Sequence, residues 1–451
     1  MQTIEHAKSI IKKLNDNNYE AYLVGGCVRD YLLDISPSDF DITTNATPDM
    51  IEDIFDKSIP TGKIYGTISV VIDKEVYEVT TYRLETKYVN NRRPESVKYS
   101  KILKEDLMRR DFTVNALAMD IDGNIIDYYG GINDLNNRII KCVGDPSDRF
   151  DEDNLRKLRA VRFAIQKGFE IDYDTFRIIK DNPSLNGVSM ERIQSEFSKI
   201  LLAKRASYGI RLLLGSNLLK QIIPELLPCV GFDQNNKNHC YDIFEHLCAT
   251  VDNIKPQIEL RLAALLHDIG KAKACTIDEK CVGHFIAHDK ISAEIADDIL
   301  SRLGYSNKIK KNVLDLILFH MRRPVLNEKS VRRFVYKIKK ENIEAITELF
   351  RADSLASSLL IWEENLKYLD ELDKIIKKII SEEQALSMKD LAINGHDILE
   401  RYNTNNIRGK SIGIILEYLL SQVIDDPSLN NKDQLIKEMD VFIKENICDF
   451  K

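Results

Sequence analysis

Nowhere does this chain carry a run of roughly eighteen apolar residues, so nothing in it reads as a helix long enough to cross a bilayer. Its opening stretch, MQTIEHAKSIIKKLN, alternates acids and bases along an amphipathic helix and lacks the apolar centre of a secretory leader, so a cytoplasmic protein is expected. Cysteine is sparse, with eight residues and no CxxC pair; several sit in helical apolar patterns, which favours buried free thiols over disulfides or zinc. Excess positive charge is missing as well. Lys plus Arg number 64 against 71 Asp plus Glu, a net charge of -7, so a nucleic-acid partner would have to be held by a local basic surface against the field of the whole molecule. The length, 451 residues, is too great for one core and implies several modules in succession.

What is present is organised around Leu23–Asn45, LVGGCVRDYLLDISPSDFDITTN. Val24, Gly25 and Gly26 close an expected strand (20–24) with residues that let the backbone approach a ligand, and Arg29 and Asp30 follow as a helix (26–34) begins, an arrangement suited to a triphosphate. Asp39 and Asp41 fall on an expected strand (39–43), where a period of two puts both carboxylates on one face. Two acids so placed repel unless a cation lies between them, and magnesium, with its preference for carboxylate and phosphate oxygens, is the natural occupant for attack on phosphorus. Taken singly, Gly-Gly is usually a turn and Asp-x-Asp is often solvated; the combination carries the weight. A helix is expected at 1–17 and another from Pro48 to Phe55, then a hairpin about Asp73-Lys74. Glu78, on the second strand of that hairpin, is either a third carboxylate facing the aspartates or a plain cross-strand partner. The stretch from Leu84 to Lys104 is polar and basic without apolar periodicity and is expected to be a long mobile loop.

Further on, FDEDNLRKLRAVRFAIQKGF puts Leu155, Leu158, Val161 and Ala164 on one helical face and Arg156, Arg159 and Arg162 along another, a solvated basic face unless something binds there. Histidine is scarce, eight in all, and six lie from His239 to His320. A single histidine on an apolar helix is usually a core residue. His246, the adjacent His267-Asp268 pair, His284, His288, His320 and Asp353 together are a donor set suited to a transition metal such as manganese, nickel or iron, which can activate water against a phosphoester.

GGxVRDxLL followed by DFDITTNATP resembles the catalytic head of the class II tRNA nucleotidyltransferase and bacterial poly(A) polymerase family, part of the polymerase beta superfamily. RRDFTVNA (Arg109–Ala116), Asp127–Gly131 with Asp134 and Leu135, and Glu152-Asp153-x-x-Arg156 match further family signatures in order. The resemblance implies magnesium on Asp39 and Asp41, with Glu78 as a third acid. It also implies nucleotide binding by Gly25, Gly26, Arg29 and Arg110, ribose selection by Asp111 and Asn115, and a hinge at Asp127–Gly131. Spacing of i, i+3 on a helix would bring Asp153 and Arg156 together. One accepts and the other donates, so the pair complements the amino and ring-nitrogen edge shared by cytosine and adenine and is mismatched to uracil and guanine. Arg159 and Arg162 would meet the triphosphate or the RNA backbone.

TGxxxGT at Thr61–Thr67 is closer to the CCA-adding branch than to poly(A) polymerases, although Tyr65 stands where histidine is more usual. Arg92, Arg93 and Pro94 sit where CCA-adding enzymes carry a flexible element needed for the final adenosine. The histidine set resembles the HD phosphohydrolase superfamily, with ligands mapping to His246, His267, Asp268 and Asp353. Ile393, Asn394, Gly395, Gly409, Lys410, Ile412 and Gly413 match the tail of bacterial CCA-adding enzymes, where a grip on the tRNA elbow is implied.

The fold expected is therefore α+β: a polymerase-beta-like head with a small mixed sheet (1–140), then a helical neck (141–228), an HD body (229–356) and a helical tail (357–451). The activity implied is template-independent CCA addition to tRNA from CTP and ATP, with no membrane and no protein partner evident. The competing readings are a partial CC-adding or A-adding enzyme, a poly(A) polymerase, or an HD-type phosphohydrolase whose head merely binds nucleotide. The acidic balance and the histidine set speak against a poly(A) polymerase, and the intact Asp39, Asp41, Asp111, Asp153 and Arg156 against a dead head.

Overall fold

A computed structural model describes residues 2–85, 88–89, 93–94, 97–234, 241–280, 282–382, 385–402 and 409–446. The chain divides into two compact units, 1–227 with 302–304 and 228–301 with 305–451.

The first unit opens on α1 (Ile4–Asp16), whose buried Ala7, Ile10, Ile11 and Leu14 recur at three- and four-residue steps, with Thr3 capping its start through the His6 N–H. There follow β1 (Ala21–Val24), α2 (Gly26–Leu32), β2 (Asp41–Thr44), α3 (Pro48–Ile54), β3 (Ser58–Gly62), β4 (Thr67–Ile72) and β5 (Glu75–Thr81). The hairpin expected about Asp73-Lys74 forms between β4 and β5, and both turn residues take positive φ, 47° and 70°, as a tight two-residue turn demands.

The stretch expected as a loop without regular structure contains short paired strands among its described residues. β6 (Arg83–Glu85), β7 (Tyr88–Val89), β8 (Arg93–Pro94) and β9 (Val97–Tyr99) form two antiparallel pairs, β6 with β9 and β7 with β8. Tyr88, Val89, Val97 and Tyr99 have the strand preference for this, a signal masked by the charged residues between them. Arg92 lies outside the described residues, and Arg93 is described only as backbone of β8.

After α4 (Leu103–Met108), β10 (Leu117–Met119) and β11 (Ile125–Asp127) complete a seven-stranded sheet in the order β11-β10-β1-β2-β5-β4-β3. Every pairing is antiparallel except β2 with β5. Leu23, Ile42, Val79, Ile68 and Met119 pack with α1 in one core. Ile42 and Val79 are register partners, so Asp41 and Glu78, one residue earlier on each strand, project from the opposite face. The Asp127–Gly131 turn, expected as a hinge, is closely tied: the Asp127 carboxylate accepts the N–H of Tyr129, Gly131 and Ile132, and a Cβ at Gly131 would come within 2.2 Å of the Thr113 carbonyl oxygen. Beyond it run α5 (Gly131–Asn136), β12 (Ile139–Ile140), α6 (Pro146–Glu152), α7 (Leu155–Lys167), β13 (Glu170–Ile171), α8 (Tyr173–Asp181), α9 (Met190–Leu201), α10 (Ala206–Gly215) and α11 (Leu219–Ile222).

The second unit is helical, as expected, apart from one small hairpin. It comprises α12 (Ile243–Asp252), α13 (Ile258–Leu266), α14 (Lys271–Ala274), the paired β14 (Cys275–Ile277) and β15 (Gly283–Phe285), α15 (His288–Arg302), α16 (Asn307–Phe319), α17 (Glu328–Ile338), α18 (Ile343–Leu355), α19 (Leu359–Ser381), α20 (Gly395–Arg401), α21 (Lys410–Asp425) and α22 (Lys432–Glu445). α12 packs on α13 and α18, and α13 on α16. The last three helices enclose their own core of Ile398, Leu419, Leu420, Val423, Leu435 and Met439. The cysteines among the described residues are free, and no helix there is long and apolar enough to cross a membrane.

Candidate functional site

Gly25, at the end of β1, has φ +76°, and a Cβ there would stand 2.7 Å from Arg110 Nη1, so any side chain would both strain the turn and displace that guanidinium. Arg29, buried on α2, donates from Nη1 to Asn115 Oδ1 (2.5 Å). Asn115 in turn donates to Asp111 Oδ1 (3.0 Å), whose Oδ2 accepts from Arg159 Nε and Nη2 (2.8 and 2.6 Å). Burial would raise the Asp111 carboxyl, but Arg159 and the Asn115 hydrogen bond outweigh it and hold the group down at about 2. Arg110 is different. Its Nε has no hydrogen-bond partner and its Nη2 is 3.8 Å from Asp106, so burial draws this guanidinium below its ordinary value. It is a cation in want of an anion.

β2 begins at Asp41, so Asp39 precedes the strand and does not share its pleat as the sequence suggests; both nonetheless reach one cavity. Asp41 is open to that cavity yet ringed by protein, and this enclosure pushes its carboxyl up to about 6, opposed by Arg110 and reinforced by Asp39 and Glu78. Two carboxylates, Asp39 and Asp41, thus open on one cavity, a donor pair that fits a divalent cation. Among the described residues the only trios of His, Cys, Asp and Glu close enough to grip a metal lie in the second unit. A magnesium ion on Asp39 and Asp41 would take its remaining oxygens from nucleotide and water, as that ion commonly does.

The base-reading pair is rearranged relative to its expectation. Asp153 is not on a helix with Arg156; it caps the end of α6, with φ -150°, and α7 starts at Leu155. Its carboxylate accepts from the Leu155 N–H (3.0 Å) and from Arg192 on α9, Nη2 to Oδ2 at 2.7 Å and Nη1 to Oδ1 at 3.3 Å. Arg156 is buried and held by Glu152 (2.5 Å) and by the carbonyls of Arg149 (3.0 Å) and Arg109 (2.8 Å). Each member therefore has its own support, and both still line the cavity.

That cavity, about 590 Å³, gathers Gly25, Gly26, Arg29, Asp39, Asp41, Arg110, Asp111, Asn115, Asp153, Arg156 and Arg159. Glu78 and Arg162 are not in its wall; Arg162 pairs with Glu196 (2.5 Å) and Gln166 (3.0 Å). Arg109, the first arginine of the RRDFTVNA signature, is in it, and so are Arg192 and Phe163, which sequence reasoning missed. Phe163 is the floor: Arg29, Arg159 and Arg162 lie over its ring at 5.4, 5.2 and 4.0 Å, and Phe112 meets its edge. The one available signal was its position on α7, four residues beyond Arg159.

In the second unit the histidines converge. His246 Nε2 is 3.3 Å from His267 Nε2, 3.4 Å from Asp268 Oδ2 and 3.3 Å from Asp353 Oδ1. His288 and His320 Nε2 are 3.2 Å apart, 3.1 and 3.4 Å from Asp268 Oδ1. Asp268 thus belongs to two trios, with His246 and His267 and with His288 and His320. His284 does not join them; it is bound to Asp278 on the exposed hairpin. Each of the four clustered rings has Nδ1 at a backbone carbonyl, of Ala356, Ala264, Phe285 and Ile317 (3.3, 2.9, 2.7 and 2.6 Å). That fixes the proton on Nδ1 and turns the Nε2 lone pairs on one another. Asp268 Oδ1 is buried with no hydrogen-bond partner. Burial would lift the Asp268 carboxyl, but the Lys271 ammonium 2.6 Å away outweighs it and holds the group well below the usual range, so it is an anion. Lone pairs 3 to 4 Å apart around an orphaned carboxylate oxygen suit a metal about 2.0–2.2 Å from each ligand.

Residues 21–141 match the poly A polymerase head domain, residues 168–229 the probable RNA and SrmB-binding site of polymerase A, and residues 238–379 the HD domain. The CCA-adding enzyme of Staphylococcus epidermidis is 33% identical over 450 residues, 98% of this chain and 99% of its own. That of Staphylococcus haemolyticus is 35% identical over 454 residues, 99% of each. The crystal structure of the Bacillus stearothermophilus CCA-adding enzyme in complex with CTP superposes with a TM-score of 0.72 at 25% identity, covering 99% of this chain and 100% of that one.

Proposed function

This chain belongs to the CCA-adding enzymes, and from that premise we propose that it adds C, C and A without a template to the 3′ end of tRNA from CTP and ATP, releasing pyrophosphate. We take 1–140 as the catalytic head, 141–228 as neck, 229–356 as HD body and 357–451 as a tail that grips tRNA, working in the cytoplasm. Asp39 and Asp41 are the residues to hold magnesium, which when bound polarises the attacking 3′ hydroxyl and steadies the phosphates. Gly25 clears the way for the triphosphate. Arg110, lacking close neutralisation, meets its charge. The Arg29–Asn115–Asp111 chain presents a fixed amide and carboxylate to the ribose.

The observation that carries the reading is the spare hydrogen-bonding capacity of Asp153 and Arg156 in the cavity of the two aspartates. A carboxylate offers about four acceptor sites. Leu155 N and the two Arg192 nitrogens occupy three on Asp153, which leaves one for a base amino group. Arg156 commits three N–H groups to Glu152, Arg149 and Arg109, which leaves donors for a ring nitrogen. Cytosine and adenine satisfy both, whereas uracil and guanine present a carbonyl to the carboxylate and an N–H to the guanidinium. A hydrogen bond to a charged group is worth roughly 1.5 to 3 kcal/mol, so Arg156→Ala should lose about tenfold or more in selectivity, affecting CTP and ATP together. Measuring kcat/KM for all four nucleotides in Arg156→Ala and Asp153→Ala tests this; unchanged ratios in both variants would place base choice elsewhere.

The shared position of Asp268 supports a second reading for the other unit, that His246, His267, Asp268 and Asp353, extended by His288 and His320, bind manganese, nickel or iron. Such a metal supplies activated water for phosphoester hydrolysis.

A further inference from the structure

Five of the six clustered side chains in the second unit are shut from solvent, at 1 to 6% exposure, whereas Asp353 is 23% exposed. Solutes therefore reach the cluster from the Asp353 side. The Oδ1 of Asp353 faces inward to His246 and His267 (3.3 and 3.8 Å), while its Oδ2 faces Arg323, with Nη2 at 3.5 Å. Arg323 is 28% exposed and held in place: Nη1 donates to Asn365 Oδ1 (3.0 Å), Nη2 to Ser354 Oγ (3.3 Å), and the guanidinium lies over the buried Phe350 ring at 5.6 Å.

Those contacts commit two of its five N–H donors. The approach to Asp353 is one long contact, not the short two-pronged fork that neutralises a guanidinium. A planar cation with donors to spare, fixed beside the one open ligand of a metal-binding cluster, complements a tetrahedral oxyanion.

We propose that Arg323 is the anion receptor of this site and takes a non-bridging oxygen of a phosphate ester whose other oxygens face the cluster. The proposal rests on the metal reading of the second unit. It separates phosphate esters from neutral esters and amides, which offer the guanidinium no charge. It also assigns Asn365 and Ser354 the work of holding the fork at the mouth.

The full chain loaded with manganese is titrated with inorganic phosphate by calorimetry, alongside Arg323→Gln and Arg323→Lys, and bound metal is measured in each. Phosphate should bind about tenfold more weakly to Arg323→Gln and recover in part with Arg323→Lys, since the charge returns without the fork. Manganese content and CMP addition should not change. Displacement by phenyl phosphate or by bis(4-nitrophenyl) phosphate separates a monoester from a diester ligand. Equal phosphate affinity in Arg323→Gln with its metal retained overturns the proposal, as does loss of metal from that variant, which would make Arg323 a prop for Asp353. Metal without phosphate binding in the unaltered protein sinks the receptor alone; absence of metal sinks the reading of the site on which it rests.

Discussion

Asp41→Ala should abolish incorporation of both CMP and AMP, with kcat/KM falling by about a thousandfold or more, because the loss strikes charge stabilisation at the reacting phosphorus. Asp39→Ala should do the same. The two carboxylates reach the cavity from different local settings, one before β2 and one at its first residue, and neither can take over the other's oxygens. The structure adds a second expectation for Asp41. Its folded carboxyl sits near 6, above the ordinary value of 3.8, so the folded state holds more protons than the unfolded one between those values and stability falls as pH rises through that window. Above it the ionised group is a burden on the metal-free protein. Asp41→Asn should therefore melt no lower than the unaltered chain at pH 7 while being inactive, a trade of stability for function. Melting curves and labelled-nucleotide incorporation on tRNA lacking CCA check both halves. Near-normal incorporation by either alanine variant would remove metal catalysis at these residues from the account, and a sharply lower midpoint for Asp41→Asn would show that the carboxylate is structural.

Asp268→Asn should strip the second unit of its transition metal, weakening binding by about a hundredfold or more, because one residue serves both trios and an amide cannot bridge as a carboxylate does. His267→Ala removes a ligand from one trio only and should leave the His288 and His320 position able to bind, though more weakly. Nucleotide addition should survive both changes, since no residue of this cluster lines the cavity of the head. Some loss of stability is expected in Asp268→Asn, as Lys271, buried and 2.6 Å away, loses the carboxylate that neutralises it and is left with the neutral amide oxygen of Gln234. Metal analysis of the purified protein, with hydrolysis of 2′,3′-cyclic phosphates and phosphomonoesters in manganese or nickel, measures the effect. Metal retained in Asp268→Asn would refute its shared role. No metal in the unaltered protein would leave the cluster a packed core of histidines.

Local chemistry wrote much of this into the chain itself. The Gly25 turn, the amphipathic α1, the Asp73-Lys74 hairpin and the opposite faces of Ile42 and Asp41 follow from steric rules acting over a few residues, so they are legible without a structure. The motifs likewise named most of the residues that meet in the cavity. Tertiary structure decided how those residues are held. Arg192 reaches Asp153 across 39 positions, the Arg109 carbonyl reaches Arg156 across 47, and Phe163 gathers three guanidiniums from α2 and α7. Helical spacing paired Asp153 with Arg156, but the chain leaves the helix between α6 and α7 and supports each one separately. The same division holds for the histidines: scarcity and the His267-Asp268 doublet pointed to a metal, while the exclusion of His284 and the doubling of trios at Asp268 depended on where β15, α15 and α16 came to rest. Periodicity reports which side chains share a face. Which distant donor fills the last acceptor on a carboxylate is settled only when the faces meet, because a buried polar atom takes its partner from whatever the packing brings within about 3 Å.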